Sequence, residues 1–317
     1  MLVKEAPYIW HNGDVIRWQD AKVHVLSHAL HYGTSVFEGI RAYHTPKGPA
    51  IFRLSDHMKR FFESAKVYRF NVPFSQQELE KACIDMVDQN ELKSAYIRPV
   101  AFLGYGHVGL LPPMDLELDV SVIAFEWGSY LGESTLEHGV DVCVSSWNRI
   151  APNTVPAMAK AGGNYLPSRL ICMDAKRNGY HEAIALDTQG FVSEGPGENI
   201  FLIRDGVIYT PPLHHSVLAG ITRDSVIKMA NKYGYEVQEK TIPREMLYLA
   251  DELFFTGTAA EVVPIRSVDK LEIGDGKPGP ITKQIQRGFF GLFTGETEDE
   301  WGWLEHTPRH EDSLLLI

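Results

Sequence analysis

The chain opens on two apolar runs, Tyr8-Ile9-Trp10 and Asp14-Val15-Ile16-Arg17-Trp18, with His11-Asn12-Gly13 between them. Asn-Gly flanked by apolar runs predicts a hairpin, because both residues accept the positive φ of a tight turn. Farther on the apolar period lengthens. Met58, Phe61, Phe62 and Ala65 recur at helical spacing behind Ser55, which predicts a helix over 55–69. Ser75 with Glu78 three residues on is a capping-box pattern and predicts a second helix over 75–90. The stretches 95–103 and 118–125 read as strands, after which periodicity stops in the small-residue segment from Trp127 to Ser134. The pattern then restarts with a strand near 139–147 and a helix near 164–177 closed by Gly179. Strands follow near 182–187, 198–204 and 207–210, then a helix from Gly220 to Gly234, a strand at 252–256 and a helix over 281–293. No fixed-period repeat is visible, and the charged, Trp-rich segment from Glu296 predicts no element.

Strands and helices of this kind imply mixed α/β domains with α+β sheets. At roughly 100–200 residues per domain, 317 residues imply two. The expected division is a small N-terminal domain over 1–127, a linker over 128–137 and a larger C-terminal domain over 138–317. Lys and Arg number 30 against 41 Asp and Glu, a balance that argues against a sequence-independent hold on nucleic acid. No apolar run is long enough for a membrane span, and the first residues lack the apolar region of a signal peptide. Cys83, Cys143 and Cys172 have no metal-ligand spacing, so no metal is expected. They suit buried thiols in a reducing compartment, and the cytoplasm is the expected location.

Gly104-Tyr-Gly-His-Val-Gly109 matches a dinucleotide fingerprint in letters, but Pro112-Pro113 follow where that fingerprint needs a helix to open. It reads as a flexible loop. His214-His215, in a Pro-rich stretch, reads as a surface pair. Lys160 is set among small apolar residues in Val155-Pro-Ala-Met-Ala-Lys160-Ala-Gly-Gly-Asn-Tyr165. Such a lysine is either a solvated surface group or a desolvated amine able to attack an aldehyde. Gly162 and Gly163 permit close backbone approach, and Asn164 is a candidate cap for the next helix. Glu194 precedes Gly195-Pro196-Gly197, which is either a plain tight connection or a rigid mount for a carboxylate facing a pyridine nitrogen. Gly220-Ile221-Thr222 and Thr256-Gly257-Thr258 can each present backbone N–H groups to an anion, or serve structure alone.

Taken with the runs Leu26–Arg41, His57–Arg60, Ser94–Pro99, Ala159–Tyr165, Ser193–Asn199, Gly220–Arg223 and Thr256–Val262, the chain resembles the branched-chain amino acid aminotransferases. These are pyridoxal-phosphate enzymes of fold-type IV architecture, and the resemblance covers about residues 5–295. It implies that Lys160 carries pyridoxal 5'-phosphate and shuttles the substrate's α-proton. It implies further that Glu194 meets the pyridine nitrogen, Tyr165 the phenolic oxygen, and Arg60, Ile221, Thr222 and Thr258 the phosphate. Substrate walls map to Tyr32, Phe37, Tyr130, Val108 and Leu110, a γ-carboxylate anchor to Arg98, and α-carboxylate contacts to Tyr96, Thr258 and Ala259. The implied reaction is ping-pong transfer from leucine, isoleucine or valine to 2-oxoglutarate. The loop at 104–111 would reach a neighbouring subunit, so a homodimer or larger homo-oligomer is implied. Val263 stands where many relatives have Thr.

Overall fold

The computed structural model describes residues 3–113, 116–128 and 132–308. They form two compact units, neither continuous in sequence. The first combines the chain up to Gly128 with Ala159–Gly163 and everything from Phe293 on; the second combines Ser129–Met158 with Asn164–Leu292.

The first unit begins with strands β1 (Tyr8–His11) and β2 (Asp14–Arg17), helix α1 (His28–Tyr32), and strands β3 (Ser35–Phe37), β4 (Ile40–Thr45) and β5 (Gly48–Phe52). Helices α2 (Leu54–Val67) and α3 (Gln76–Gln89) follow, then β6 (Ala95–Leu103) and β7 (Leu118–Glu126). The opening hairpin turns through Asn12 and Gly13 at φ 51° and 100°, the two positive values expected. Ser75 and Glu78 make both bonds of the capping box. Helix α2 buries Met58, Phe61 and Ala65, and α3 buries Leu79, Cys83 and Met86, in one core with Ile40, Ile51 and Ile97 of the sheet. Neither unit was expected to hold β3, β4 and β5, which escaped the pattern reading because their buried faces include Arg41, Tyr43 and Thr45.

The second unit holds α4 (Glu133–His138), β8 (Val140–Val144), α5 (Tyr165–Arg177), β9 (Glu182–Leu186), β10 (Val192–Glu194), β11 (Asn199–Arg204) and β12 (Val207–Thr210). It continues with α6 (Ile221–Lys232), β13 (Val237–Glu239), α7 (Glu245–Tyr248), β14 (Glu252–Gly257), β15 (Glu261–Val268) and β16 (Leu271–Glu272), and ends at Leu292, within the last turns of α8 (Pro280–Thr294). Its sheet runs β10-β9-β8-β15-β14-β11-β12-β13, with β8 parallel to both neighbours and β14 antiparallel to both of its own. Val140, Ile184, Ile200, Phe255 and Val263 fill one core. Asn164 precedes α5 but makes no capping bond; its Nδ2 donates instead to the Pro156 carbonyl at 3.0 Å. The expected linker over 128–137 already contains most of α4.

The last described strand, β17 (Leu304–His306), pairs antiparallel with β5, so the first sheet runs β17-β5-β4-β6-β7-β1-β2 with β3 also on β6. The described residues from 293 to 308 therefore pack with the first unit, where a continuous C-terminal domain was expected. The tail is held by more than the strand. Arg53, at φ 54° before α2, donates its N–H to the Trp303 carbonyl at 2.7 Å, and its guanidinium lies over the Trp303 ring. Residues 104–111 open no helix, as expected of a loop. Among the described residues no helix is long and apolar enough to cross a membrane.

Candidate active site

In the first unit the segment Ala159–Gly163 lies against β3. The Phe37 N–H donates to the Lys160 carbonyl at 3.0 Å, and Val36 bridges Ala161. The Lys160 N–H donates to Ser64 Oγ at 2.9 Å, and the Ser64 hydroxyl donates to the Arg60 carbonyl, so α2 fixes the same segment. A Cβ on Gly162 would stand 2.3 Å from Ser35 Oγ, so the glycine lets the segment lie close to the Ser35 hydroxyl. Lys160 is half-buried, with Nζ 5.0 Å from the centre of the Phe37 ring.

Beside it, Tyr96 and Arg98 share a face of β6, being two residues apart. The Arg98 guanidinium lies 4.6 Å from the centre of Phe37 and 5.2 Å from that of Tyr96, and Nη2 donates to Tyr96 Oη at 3.1 Å. A Cβ on Gly39 would come within 1.9 Å of Tyr96 Oη, so that glycine makes room for the tyrosine. Tyr96 also packs against Trp127, their rings tilted by 32° with centres 4.8 Å apart, a neighbour that no sequence motif singled out. Tyr32, Val108 and Leu110 are exposed, at the end of α1 and in the 104–111 loop. His28 ties these segments together, with Nε2 on the Gly109 carbonyl at 2.7 Å. Tyr130 lies outside the described residues.

Arg60 is buried, and its fork is engaged: Nε and Nη2 donate to the two oxygens of Glu38 at 2.7 and 2.8 Å. His57 Nδ1 lies 2.8 Å from the same carboxylate, while His57 Nε2 is buried without a hydrogen-bond partner. Burial pushes the Glu38 carboxyl up, but the Arg60 charge and the hydrogen bonds from His57 and Arg60 outweigh it and hold the group well below the usual carboxylate range. Burial, opposed by Glu38, pushes the His57 imidazole down, which keeps it neutral and its Nδ1–H directed at Glu38.

Glu38→Gln keeps the shape and deletes the charge, leaving the Arg60 cation buried without its counter-ion. The expected loss is about 3–5 kcal/mol of folding stability at neutral pH, read by urea unfolding. A group with a lowered folded-state pKa contributes stability above its unfolded pKa. Parent and variant should therefore converge as pH drops below about 4.3, where the unfolded glutamate takes up its proton. Equal stability at neutral pH would remove Glu38 as the support of Arg60.

In the second unit Glu194 ends β10, a strand absent from the sequence reading. Its carboxylate is buried and receives Arg149 Nη2 at 2.7 Å, Asn199 Nδ2 at 2.9 Å and the Leu218 N–H at 3.1 Å. Arg149 is itself buried and donates from Nη1 to Ser168 Oγ at 3.2 Å. After Glu194, the Gly195 N–H closes on the Glu198 carbonyl at 2.7 Å. Helix α6 opens at Ile221 and Thr222 behind Gly220, where a Cβ would stand 1.9 Å from Asn199 Oδ1. Thr256 Oγ1, at the end of β14, is buried without a hydrogen-bond partner, and Thr258 and Ala259 follow half-buried in the turn to β15. Tyr165 begins α5, half-buried.

The sequence did not mark Arg149, Asn199, Glu38 and His57 as supports, although Asn199, Glu38 and His57 all stand inside runs that match the family. A buried charge in such a run needs a partner, and that requirement was the available signal.

The model of the class IV amino-transferases matches residues 35–268. The branched-chain-amino-acid aminotransferase of Escherichia coli K12 is 59% identical over 305 residues, 96% of this chain and 99% of the relative. A crystal structure of the Escherichia coli branched-chain amino acid aminotransferase superposes with a TM-score of 0.95 at 58% identity, covering 96% of this chain and all of that one. A T.th. branched-chain amino acid aminotransferase, solved with pyridoxamine 5'-phosphate, gives 0.93 at 49% identity, over 97% of this chain and all of that one. The architecture is fold type IV, as the resemblance implied. By the extent of these matches, the chain belongs to the class IV amino-transferase family.

Proposed function

We propose that Lys160 is the reacting amine, and that Glu194, Tyr165, Arg60, Ile221, Thr222 and Thr258 hold the cofactor. The chain is an enzyme that transfers the amino group of leucine, isoleucine or valine to 2-oxoglutarate by a ping-pong cycle, and its cofactor is pyridoxal 5'-phosphate. The residues present fit that group. They offer a half-buried primary amine, a buried carboxylate, a guanidinium, and a helix N-terminus of the kind that favours phosphate. The bound cofactor supplies an aldehyde carbon for the amino group and an electron-withdrawing ring for the electron pair left at the substrate's Cα.

The observation that carries the reading is the Glu194 carboxylate, buried and met by Arg149, Asn199 and the Leu218 N–H. Three donors, one of them charged, hold the carboxylate in place, and a carboxylate set against a pyridine nitrogen keeps a proton there. Lys160, anchored by its own backbone to β3 and α2, would take the proton from the substrate's Cα and hold it for return. Arg60 and the first turn of α6 bind phosphate oxygens. Phe37, Tyr32, Tyr130, Val108 and Leu110 give the substrate side chain apolar surface, Tyr96, Thr258 and Ala259 bind its α-carboxylate, and Arg98 binds a γ-carboxylate.

Glu194→Gln tests this. The amide cannot hold the ring nitrogen protonated, so the variant should keep the cofactor and lose α-proton removal in kcat and kcat/KM alike. Single-turnover rates equal to the parent's would make Glu194 a structural residue.

The homodimer or larger homo-oligomer rests on an exposed apolar face. Val25, Leu30, Tyr105, Val108, Leu110 and Leu111 are all more than 60% exposed, and His28 joins the two segments that carry them. Apolar exposure on that scale marks an association surface, and sedimentation equilibrium should return at least a dimer; a monomer at micromolar concentration removes the proposal. The cytoplasm remains the proposed location, on the grounds of three free cysteines.

A further inference from the structure

His215 is not the surface residue its sequence setting suggested. It is buried, with Nδ1 on Asp187 Oδ2 and Nε2 2.9 Å from Thr241 Oγ1. Asp187 is equally committed: its other oxygen accepts the N–H groups of Gln189 at 2.8 Å and Phe191 at 3.0 Å, which shapes the turn from β9 into β10. Thr241 precedes Ile242, whose carbonyl accepts the Val192 N–H at 2.9 Å at the start of β10. One imidazole thus ties three separate segments.

What the ring fixes is the loop from Pro211 to Gly220, between β12 and α6. The Ser193 hydroxyl donates to the His215 carbonyl at 2.6 Å, one residue before Glu194. The Ser216 hydroxyl donates to the Ile150 carbonyl at 2.7 Å, one residue after Arg149, and Ser216 itself holds φ 60°. A non-glycine residue in that region needs surroundings that over-determine it. Two residues on, the Leu218 N–H reaches Glu194 and its carbonyl accepts Asn199 Nδ2 at 3.0 Å. The loop then ends at Gly220, where α6 begins.

We propose that His215 is a positioning residue for the cofactor: the Asp187–His215–Thr241 chain fixes the 211–220 loop, which sets both the Glu194 carboxylate and the opening turn of α6. This rests on the reading of Glu194 as the partner of the ring nitrogen. A loop that drifts loses the Leu218 bond to Glu194 and displaces Ile221 and Thr222 together. Ring electronics and phosphate affinity should therefore change in concert, although His215 is not among the residues proposed to hold the cofactor.

The test uses the full chain with pyridoxal phosphate added back to resolved apoenzyme, comparing His215→Leu, Thr241→Val and Glu194→Gln. The readouts are the cofactor Kd and the titration midpoint of the bound cofactor's visible absorbance. His215→Leu should raise Kd about tenfold or more and move the midpoint, as losing a bond to a charged group does, with kcat falling and the leucine KM held. Thr241→Val, losing the outer bond only, should move both in the same direction by about threefold in Kd. A lower Tm with Kd and midpoint unchanged in both variants overturns the proposal and makes the chain of bonds a purely structural tie. Should His215→Leu fail to fold, Thr241→Val decides by the same criteria. A midpoint that moves in Glu194→Gln and in neither loop variant sinks the strut alone. A midpoint unmoved in Glu194→Gln sinks the reading of Glu194 itself.

Discussion

Lys160→Ala should fold as the parent does and catalyse nothing measurable in the steady state. The segment that carries Lys160 is held through its backbone, by the Phe37 N–H, by Ser64 Oγ and by the Val36 bridge, and none of these contacts involves the side chain. The side chain is half-buried, so truncation leaves no deep cavity. The chemistry is another matter. A positioned base contributes about 100-fold to 10,000-fold to a proton transfer, and in the proposed cycle the same amine also binds the cofactor covalently. The one other lysine in a run matching the family, Lys59, is exposed on α2. Turnover of leucine with 2-oxoglutarate should fall at least about 1,000-fold, and borohydride should no longer fix the cofactor to the chain. Turnover within about tenfold of the parent would take Lys160 out of the mechanism. The variant should still take up cofactor through its phosphate, which separates loss of chemistry from loss of binding.

What could be read in the sequence divides along a physical line. The Asn12-Gly13 turn, the Ser75 capping box and the buried stripes of α2 and α3 are written in residues a few positions apart, and they formed as expected. Strand β17 is different. Its partner β5 lies some 250 residues earlier, and Leu304-Glu305-His306 has no alternation strong enough to declare a strand by itself. Its ladder and the Arg53–Trp303 contact exist only in the folded unit.

Polar networks escaped for a similar reason. Glu38 and Arg60 are 22 residues apart, one following β3 and one on α2, and their pairing depends on the packing of that helix on that sheet. His215 was misplaced because Pro-rich, polar surroundings usually mean exposed loop. Here the loop is bound down through hydroxyl and carboxylate groups of Ser193, Asp187 and Thr241. The family resemblance located candidate groups; the buried charges that hold two of them in place emerged only from the fold.

Arg98→Met should divide the two halves of the reaction. The alternative to a substrate anchor is an arginine that orders its strand through an internal ion pair. Among the described residues Arg98 makes no ion pair: its guanidinium rests on the faces of Phe37 and Tyr96, Nη2 reaches Tyr96 Oη, and Nε is buried without a hydrogen-bond partner. Methionine keeps length and apolar contact with both rings, so Tm should stay within about 4 °C of the parent. A γ-carboxylate loses its partner altogether. Removing one member of a buried charge pair costs about 2–5 kcal/mol, or roughly 30-fold to several thousand-fold. kcat/KM for glutamate and 2-oxoglutarate should fall by that factor, while leucine and 4-methyl-2-oxopentanoate, whose side chains ask nothing of a cation, should change by less than about tenfold. Following the cofactor's absorbance with each amino acid alone reads the two half reactions separately. Equal losses for glutamate and leucine would mean that Arg98 serves a contact common to both, such as the Tyr96 hydroxyl, and would end its role as the selective anchor.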